Sequence, residues 1–346
     1  MTVVTIHKRC FGSLLLIVQM SSTHLQFIKC LLLQMLTKLK SYTYISSMSL
    51  LLFGATGHLA QNTLLPRVYK AGFHDVYYVS KNHHTGSHWF HTGDSLPTTD
   101  VTYFSASSDH IVSHIEKIPQ ETLLCIESPI GNSVSSFNSI VDSINETRGL
   151  ESVRFVDHYL CQHTPDFQDF LINPSDIKEI HITLHDSSKS HHTAQELVQS
   201  HVLIALSETL SRSCKCSRLS ILNSVVPFDP MKCVFSKTHA FCETQIYISE
   251  SYYDCIRLCV DVVNTQSARD EYSISVKTTD NNRHQFCIHP HAVYNRFKDN
   301  ILTECELLPS QDSYLRVLSL ALEGSHTAFP SLPEISRCWQ IVSHIV

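Results

Sequence analysis

Cationic side chains are scarce in this sequence, and its cysteines show no paired motif. Of the 346 residues, 26 are Lys or Arg against 32 Asp or Glu, which gives a formal net charge of -6. A mildly acidic chain argues against nucleic acid as the main partner. None of the 13 cysteines belongs to a Cys-x-x-Cys unit, and the closest pair is Cys214 and Cys216. Zinc is therefore not indicated, and we expect reduced thiols in a cytoplasmic protein.

No apolar run near the N-terminus reaches the length of a transmembrane helix. Phe11–Val18 follows His7-Lys8-Arg9 and resembles the apolar part of a signal peptide, but it is too short to cross a bilayer and no cleavage site is obvious. We expect no membrane partner. We also expect residues 1–47 to be upstream sequence or a poorly ordered extension, with translation starting at Met48; a targeting segment is the alternative.

Histidine is abundant, but its spacing is not that of a metal site. The 23 histidines are scattered, with short clusters only at His83-His84 and His191-His192. Structural zinc sites show closely spaced ligand pairs, which are missing here. We therefore expect no metal.

An apolar segment followed by a glycine turn is the first positive signal. Ser49–Phe53 runs into Gly54–Ala60 with the spacing Gly-x-x-Gly-x-x-Ala, and a helix with Pro66 inside it follows. Such a turn brings backbone N–H groups close to a pyrophosphate at a helix N-terminus. An ordinary strand-turn-helix is the alternative. The predicted cofactor contacts in the turn are Gly54, Ala55, Thr56, Gly57, His58 and Leu59.

The next apolar segment bears on which dinucleotide is bound. Val76–Val79 ends in Ser80 and Lys81, where the second strand of such a unit meets the adenosine ribose. A hydroxyl and a cation suit a 2′-phosphate better than a bare ribose. We therefore expect NADP rather than NAD, with Ser80 and Lys81 as contacts.

Acid, imidazole and phenol groups cluster at another predicted strand end, Phe155–Leu160. Asp157 can orient a distant histidine base, while His158 and Tyr159 can bind an anionic phosphate. A helix predicted from Gln195 to Leu210 places His201 on one face with Leu197, Ile204 and Ala205. The alternative is that His201 is a core histidine with satisfied hydrogen bonds.

In order and content, these motifs resemble the glucose-6-phosphate dehydrogenase family. The family's glycine turn, Glu-Lys-Pro-Phe-Gly turn, Asp-His-Tyr-Leu signature, histidine helix and C-terminal segments are similar to five stretches of this chain. In chain order, these stretches are Gly54–Ala60, Glu127–Gly131, Phe155–His163, Gln195–His201 and Asp312–Trp339.

The resemblance implies NADP-dependent oxidation of glucose 6-phosphate to 6-phosphogluconolactone, in the pentose phosphate pathway, by a cytoplasmic homodimer. His201 would be the general base and Asp157 the carboxylate that orients it. His158 and Tyr159 would hold the 6-phosphate. The other implied contacts are Gln162, Asp186, Glu196 and Lys237 for the sugar phosphate, and Glu127 and Pro129 for the cofactor. Lys232 is the alternative to Lys237.

A second hypothesis is a degenerate relative that serves as a nucleotide-binding or regulatory subunit. Ser128 and Gln162 stand where the family has lysines that would meet the phosphate or the sugar. Loss of two cations weakens charge-assisted binding.

The predicted fold is α/β, a Rossmann-like nucleotide-binding domain followed by an α+β domain with a large antiparallel sheet. We place the first domain at residues 48–155 and the substrate-binding and dimerisation domain at 156–346. Alternating apolar residues predict sheet strands in Glu243–Ser249, Cys255–Val263 and Tyr272–Lys277. By resemblance, a strand-helix layer is compressed into His83–Glu121.

Overall fold

The computed structural model describes residues 48–81, 86, 88–162, 165–186, 193–236, 238–247, 255–264, 271–289, 292–309 and 311–343. The predictions made for residues 1–47 and for Lys237 lie outside the described residues. The two histidine pairs, His83-His84 and His191-His192, lie outside them as well.

A six-stranded parallel sheet forms the first half of the described chain. Its strand order is β3-β2-β1-β4-β5-β6, and every neighbouring pair is parallel. Consecutive residues of β1 divide between two apolar cores, Leu51 and Phe53 in one and Leu50 and Leu52 in the other. Both faces of the sheet are therefore covered, as expected for parallel strands. The strands are β1 (Met48–Phe53), β2 (Phe73–Ser80), β3 (Trp89–His91), β4 (Val101–Phe104), β5 (Leu123–Glu127) and β6 (Val153–Val156).

Helices cover this sheet unevenly. A π-helical turn at Ala60–Leu64 leads into α1 (Leu65–Ala71), and α2 (Val134–Thr147) connects β5 to β6. Between β2 and β5, the described residues contain two short strands and 3₁₀ turns but no α-helix. The sequence analysis expected a shortened strand-helix layer in this region. In the described residues, the connections between β2 and β5 contain no α-helix.

An eight-stranded sheet forms the second half, with the order β14-β13-β12-β11-β7-β10-β9-β8. The predicted strands fall in β9, β10 and β11, and the predicted α/β class with two such sheets is confirmed. The sheet is not wholly antiparallel, because β7 pairs parallel with β10 and separates it from β11. The strands are β7 (Ile177–Asp186), β8 (Cys233–Phe235), β9 (His239–Ile246), β10 (Ile256–Asn264), β11 (Glu271–Thr278), β12 (Asn282–His289), β13 (Val293–Lys298) and β14 (Ile301–Leu307).

The remaining helices pack these sheets into one unit, residues 48–346. Val317 and Leu318 of α6 belong to the core on one face of the parallel sheet, and Trp339 of α7 belongs to the core that also contains Ile182 of β7. The domain division after residue 155 stays a prediction. None of the described helices is long and apolar enough to cross a membrane. The helices are α3 (Ala194–Leu197), α4 (Leu203–Cys214), α5 (Arg218–Ser224), α6 (Ser313–Leu322) and α7 (Leu332–Val342).

Candidate active site

The turn after β1 has the backbone geometry that requires glycine. Gly54 has a φ of +74°, and a Cβ placed there would lie 3.1 Å from the backbone nitrogen of Ala106. The amides of Gly54 and Ala55 both donate to the carbonyl oxygen of Val79, at 3.1 and 3.2 Å. The turn is thereby fixed to the end of β2, and a side chain at Gly54 is both strained and crowded.

The predicted cofactor residues come together at this turn. Thr56 Oγ1 and Ser80 Oγ lie 3.2 Å apart. Ser80 ends β2 and is buried, and Lys81 directly after it is exposed. Thr56, Gly57 and His58 are exposed, and Leu59 is half-buried. The turn lies at the carboxyl edge, where β1 is flanked by β2 on one side and β4 on the other. Dinucleotides bind at this switch point in open α/β sheets.

Glu127, at the end of β5, is a buried carboxyl. Tyr103 of β4 donates a hydrogen bond to its Oε1. Burial raises the pKa of Glu127 to about 8, with the Tyr103 hydrogen bond opposing this shift and the negative charge of Asp157 adding to it. At neutral pH, Glu127 is therefore mostly protonated, which removes a competing charge beside Asp157.

The turn after Glu127 is held at both ends. Ser108 Oγ donates to the carbonyl oxygen of Pro129 and accepts from the amide of Gly131, both at 2.9 Å. Trp339 Nε1 donates to the carbonyl oxygen of Ile130 at 3.1 Å. The predicted cofactor residue Pro129 therefore sits in a fixed turn at the carboxyl edge.

Asp157 and His201 form a buried pair across two elements. His201 Nδ1 lies 3.3 Å from Asp157 Oδ1, and the side chain of Asp157 is inaccessible to solvent. Asp157 follows β6, and its Oδ1 also accepts from the amide of Tyr159 at 2.9 Å. His201 lies in a π-helical turn, Val198–Val202, between α3 and α4. Such turns are frequent at functional sites.

Aromatic rings surround the pair. His158 stacks on Tyr314 with centroids 4.8 Å apart, and its Nδ1 lies 3.1 Å from the Tyr314 hydroxyl. The ring of His201 lies 5.0 Å from that of His158 and 4.8 Å from that of Tyr159. One ligand-type atom from each of Asp157, His158 and His201 lies within 4.8 Å of the other two.

Three tyrosines of this region were missed by sequence reasoning: Tyr103, Tyr272 and Tyr314. Burial raises the pKa of Tyr314 well above its usual value, with the charges of Glu127 and Asp157 adding to the effect. Burial likewise raises the pKa of Tyr103 and Tyr272. All three phenols therefore stay protonated and can donate hydrogen bonds. The only sequence signal was the position of Tyr314 in the C-terminal segment of the resemblance.

Three predicted substrate residues lie in different surroundings. Asp186 ends β7 opposite Asn264 of β10. Glu196 closes a capping box with Thr193 at the start of α3, so its carboxylate already accepts a backbone N–H. The amide oxygen Oε1 of Gln162 is buried without a hydrogen-bond partner among the described residues.

Gln162 lines a groove of about 700 Å³ that also contains arginines. Arg212 is paired with Glu208 at 2.7 Å, whereas Arg316 is about half exposed and lies 3.8 Å from Glu323. Arg316 is therefore paired less closely with a carboxylate than Arg212 is. Guanidinium groups lie in the same groove as Gln162, which stands where the resemblance implies a lysine.

The fold is shared with solved oxidoreductases. Glucose-6-phosphate 1-dehydrogenase from Mycobacterium avium matches with a TM-score of 0.66 and 13% identity, over 86% of this chain and 91% of that chain. A mutant 3-ketoreductase from Actinomadura kijaniata, in complex with TDP-benzene and NADP, matches with a TM-score of 0.60 and 10% identity, over 87% and 96%. An oxidoreductase from Desulfitobacterium hafniense, described as NADPH-dependent, matches with 0.58 and 12%, over 87% and 95%.

No family model matches the sequence, and no curated protein matches it either. The similarity to these solved structures therefore concerns the fold alone. The chemistry has to be inferred from the side chains at the carboxyl edge of the parallel sheet.

Proposed function

We propose that this chain is a divergent member of the glucose-6-phosphate dehydrogenase family that oxidises glucose 6-phosphate to 6-phosphogluconolactone with NADP. The buried Asp157–His201 pair beside the dinucleotide-type turn is the observation that carries the proposal. Oxidation of a sugar hydroxyl requires a general base for the hydroxyl proton next to a nicotinamide site that accepts the hydride from the same carbon.

The pair suggests a specific division of work. Asp157 accepts a hydrogen bond from Nδ1–H of His201, which leaves Nε2 as the acceptor for the proton of the C1 hydroxyl. The imidazolium that forms is stabilised by the buried carboxylate, and the protonated Glu127 adds no second charge. NADP, when bound, takes the hydride.

The phosphate of the substrate would be held by neutral donors and by arginine. The ring centroids of His158 and Tyr159 lie within 5.0 Å of that of His201, and a ring nitrogen of His158 lies within 4.8 Å of one of His201. Arg316 would supply the positive charge that Ser128 and Gln162 no longer provide. Asp186, Glu196 and Lys237 remain proposed sugar or phosphate contacts by resemblance.

NADP would bind across the turn at Gly54–Leu59, with Ser80 and Lys81 at the 2′-phosphate. The NADP-containing and NADPH-dependent neighbours of the same fold support this choice. By resemblance we further propose a cytoplasmic homodimer.

The decisive experiment measures NADPH formation from glucose 6-phosphate by the purified wild-type chain and by His201→Asn. Loss of a general base lowers turnover by about 10²–10⁴-fold, and NADP affinity should be unchanged. His239→Asn is the matched control, because His239 also lies 3.1 Å from a carboxylate, that of Asp261, but this pair is partly exposed and belongs to the other sheet. Equal activity of wild type and His201→Asn would disprove the assigned base.

The cofactor site has its own test, Gly54→Ala. The positive φ and the contact with Ala106 should cost about 1–2 kcal/mol of folding free energy and should weaken NADP binding several-fold in calorimetry. Gly93→Ala is the control, because a Cβ at Gly93 meets only His91 Nδ1 at 3.5 Å. If Gly54→Ala binds NADP as tightly as wild type does, the nucleotide is not held at this turn.

A degenerate, nucleotide-binding subunit is the second candidate. The replacement of two family lysines by Ser128 and Gln162 favours it. NADP binding in calorimetry together with wild-type turnover at background would support this candidate over the dehydrogenase.

A further inference from the structure

Asp157, His158 and His201 form a ligand set that their sequence spacing does not reveal. The chain separates His201 from Asp157 by 44 positions, yet one ligand atom of each residue lies within 4.8 Å of the others. One carboxylate and two imidazoles are ligands that Zn²⁺ and its neighbours among the divalent transition ions accept. A three-residue set also leaves a position for water.

A second observation concerns the carboxylate itself. Asp157 Oδ1 accepts hydrogen bonds from the Tyr159 amide and His201, but Oδ2 is buried and has no partner among the described residues. A buried carboxylate oxygen without a partner is costly. A cation bound by the trio would satisfy it.

Binding of an ion requires the three groups to move closer together. Protein ligands lie about 2.0–2.2 Å from such an ion, so two ligand atoms of a tetrahedral set are about 3.3–3.6 Å apart. Atoms that now lie up to 4.8 Å apart therefore have to approach by as much as about 1.5 Å. His158 is the half-buried member, and rotation of its ring off the Tyr314 hydroxyl would supply the movement.

We propose that this trio binds a divalent transition-metal ion and that the metal-bound form is the inhibited state of the site. Whichever ring nitrogen of His201 holds the ion, the other carries the proton of the neutral ring, so neither can accept a proton from a substrate. The first part of this proposal, metal binding, depends only on the three ligand residues. The second part, inhibition, rests on the proposed function.

Co²⁺ is the probe, because a site of nitrogen and oxygen ligands gives d–d absorption without the thiolate-to-cobalt charge-transfer band that cysteine ligands add. The full-length chain should bind one equivalent with that spectrum. His158→Gln should weaken Co²⁺ binding at least about tenfold. Asp157→Asn and His201→Asn should weaken it further. His239→Gln is the matched control, since it removes a histidine of a two-residue His–Asp pair, and it should leave binding unchanged.

If Asp157→Asn or His201→Asn does not fold, His158→Gln remains as the test, because His158 is only half-buried. Its melting temperature, compared with that of the wild type, shows whether it is folded. Equal Co²⁺ affinity of wild type and folded His158→Gln overturns the proposal, as does a charge-transfer band from thiolate ligands. In the NADPH assay, one equivalent of Co²⁺ should abolish turnover, and full turnover of the loaded protein overturns the inhibited state. The wild-type protein could also show no turnover at all and still bind Co²⁺ in a way that His158→Gln abolishes. That result would support the metal site and contradict only the proposed dehydrogenase activity.

Discussion

At the scale of single residues, the buried carboxyl of Glu127 makes stability depend on pH. Between its ordinary value of 4.5 and about 8, the folded chain keeps a proton on Glu127 that the unfolded chain has released. The stability contributed by this group is therefore complete below pH 4.5 and is lost as pH rises to 8, by at most about 1.4 kcal/mol per pH unit. Glu127→Gln, which mimics the protonated form, should be more stable than wild type at pH 8, and the difference should shrink towards pH 5 in chemical unfolding.

Tyr103→Phe is the companion variant. It removes the hydrogen bond that lowers the pKa of Glu127, so the window of decreasing stability should extend to higher pH. Parallel pH profiles for wild type and Glu127→Gln would show that Glu127 is not the titrating group.

The sequence could group those candidate residues that are neighbours in the chain. Asp157, His158 and Tyr159 are consecutive, so the resemblance could place them together. Tyr103 and Tyr314 reach the site through tertiary packing of β4 and α6, and no local pattern distinguishes them from core tyrosines. The pairing of His201 with Asp157 was expected only from the resemblance to the family. The two residues are 44 positions apart, and such a separation does not indicate whether they are close in space.

At the scale of elements, the start of α3 sets the position of His201. Thr193 and Glu196 form a capping box there, and the π-helical turn with His201 begins one residue after α3 ends. Thr193→Ala should cost about 0.5–2 kcal/mol of stability, because it leaves the backbone N–H of Glu196 without its side-chain partner. It should also lower turnover, because the start of the helix would hold the π-helical turn with His201 less firmly in place.

Ser217→Ala is the matched control for the cap. Ser217 caps α5 by the same kind of bond, from the amide of Ser220, and α5 carries none of the proposed catalytic residues. We expect a similar loss of stability with little change in kcat. Equal kinetic effects of the two variants would mean that helix stability, and not the position of His201, is being measured.

The elements themselves were largely readable from apolar periodicity. The strands β1, β2, β9, β10 and β11 lie where the sequence places them, within a few residues. The order of the strands in the larger sheet could not be predicted from the sequence. β10 and β11 are consecutive in the chain, yet β7 lies between them in the sheet. Strand order is set by long-range pairing of several apolar surfaces, and each strand alone fits more than one partner.

At the scale of the whole molecule, the proposed homodimer has a candidate surface at the end of the larger sheet. β14 is an edge strand, and all of its residues are exposed, including Ile301 at 69% and Leu307 at 80%. An exposed apolar edge strand can pair with another chain. Ile301→Lys combined with Leu307→Lys should shift sedimentation from dimer to monomer.

Met231→Lys is the control for added charge, because Met231 is 92% exposed and lies outside β14. It should leave the sedimentation coefficient unchanged. A wild-type chain that sediments as a monomer at micromolar concentration would rule out the homodimer at this strand or any other.

The placement of β7 also has a consequence for how the chain folds. The strands β8–β9–β10 and β11–β12–β13–β14 are two meanders whose neighbours are close in sequence, so each can form by local hairpins. β7 is made before either meander, yet its edges are paired only when both exist. The partners of its buried residues Ile180, Ile182 and Leu184 are more than 70 residues away and are made later. Polar residues alternate with this apolar face, among them Glu179, His181 and His185, and such residues disfavour pairing with another nascent chain.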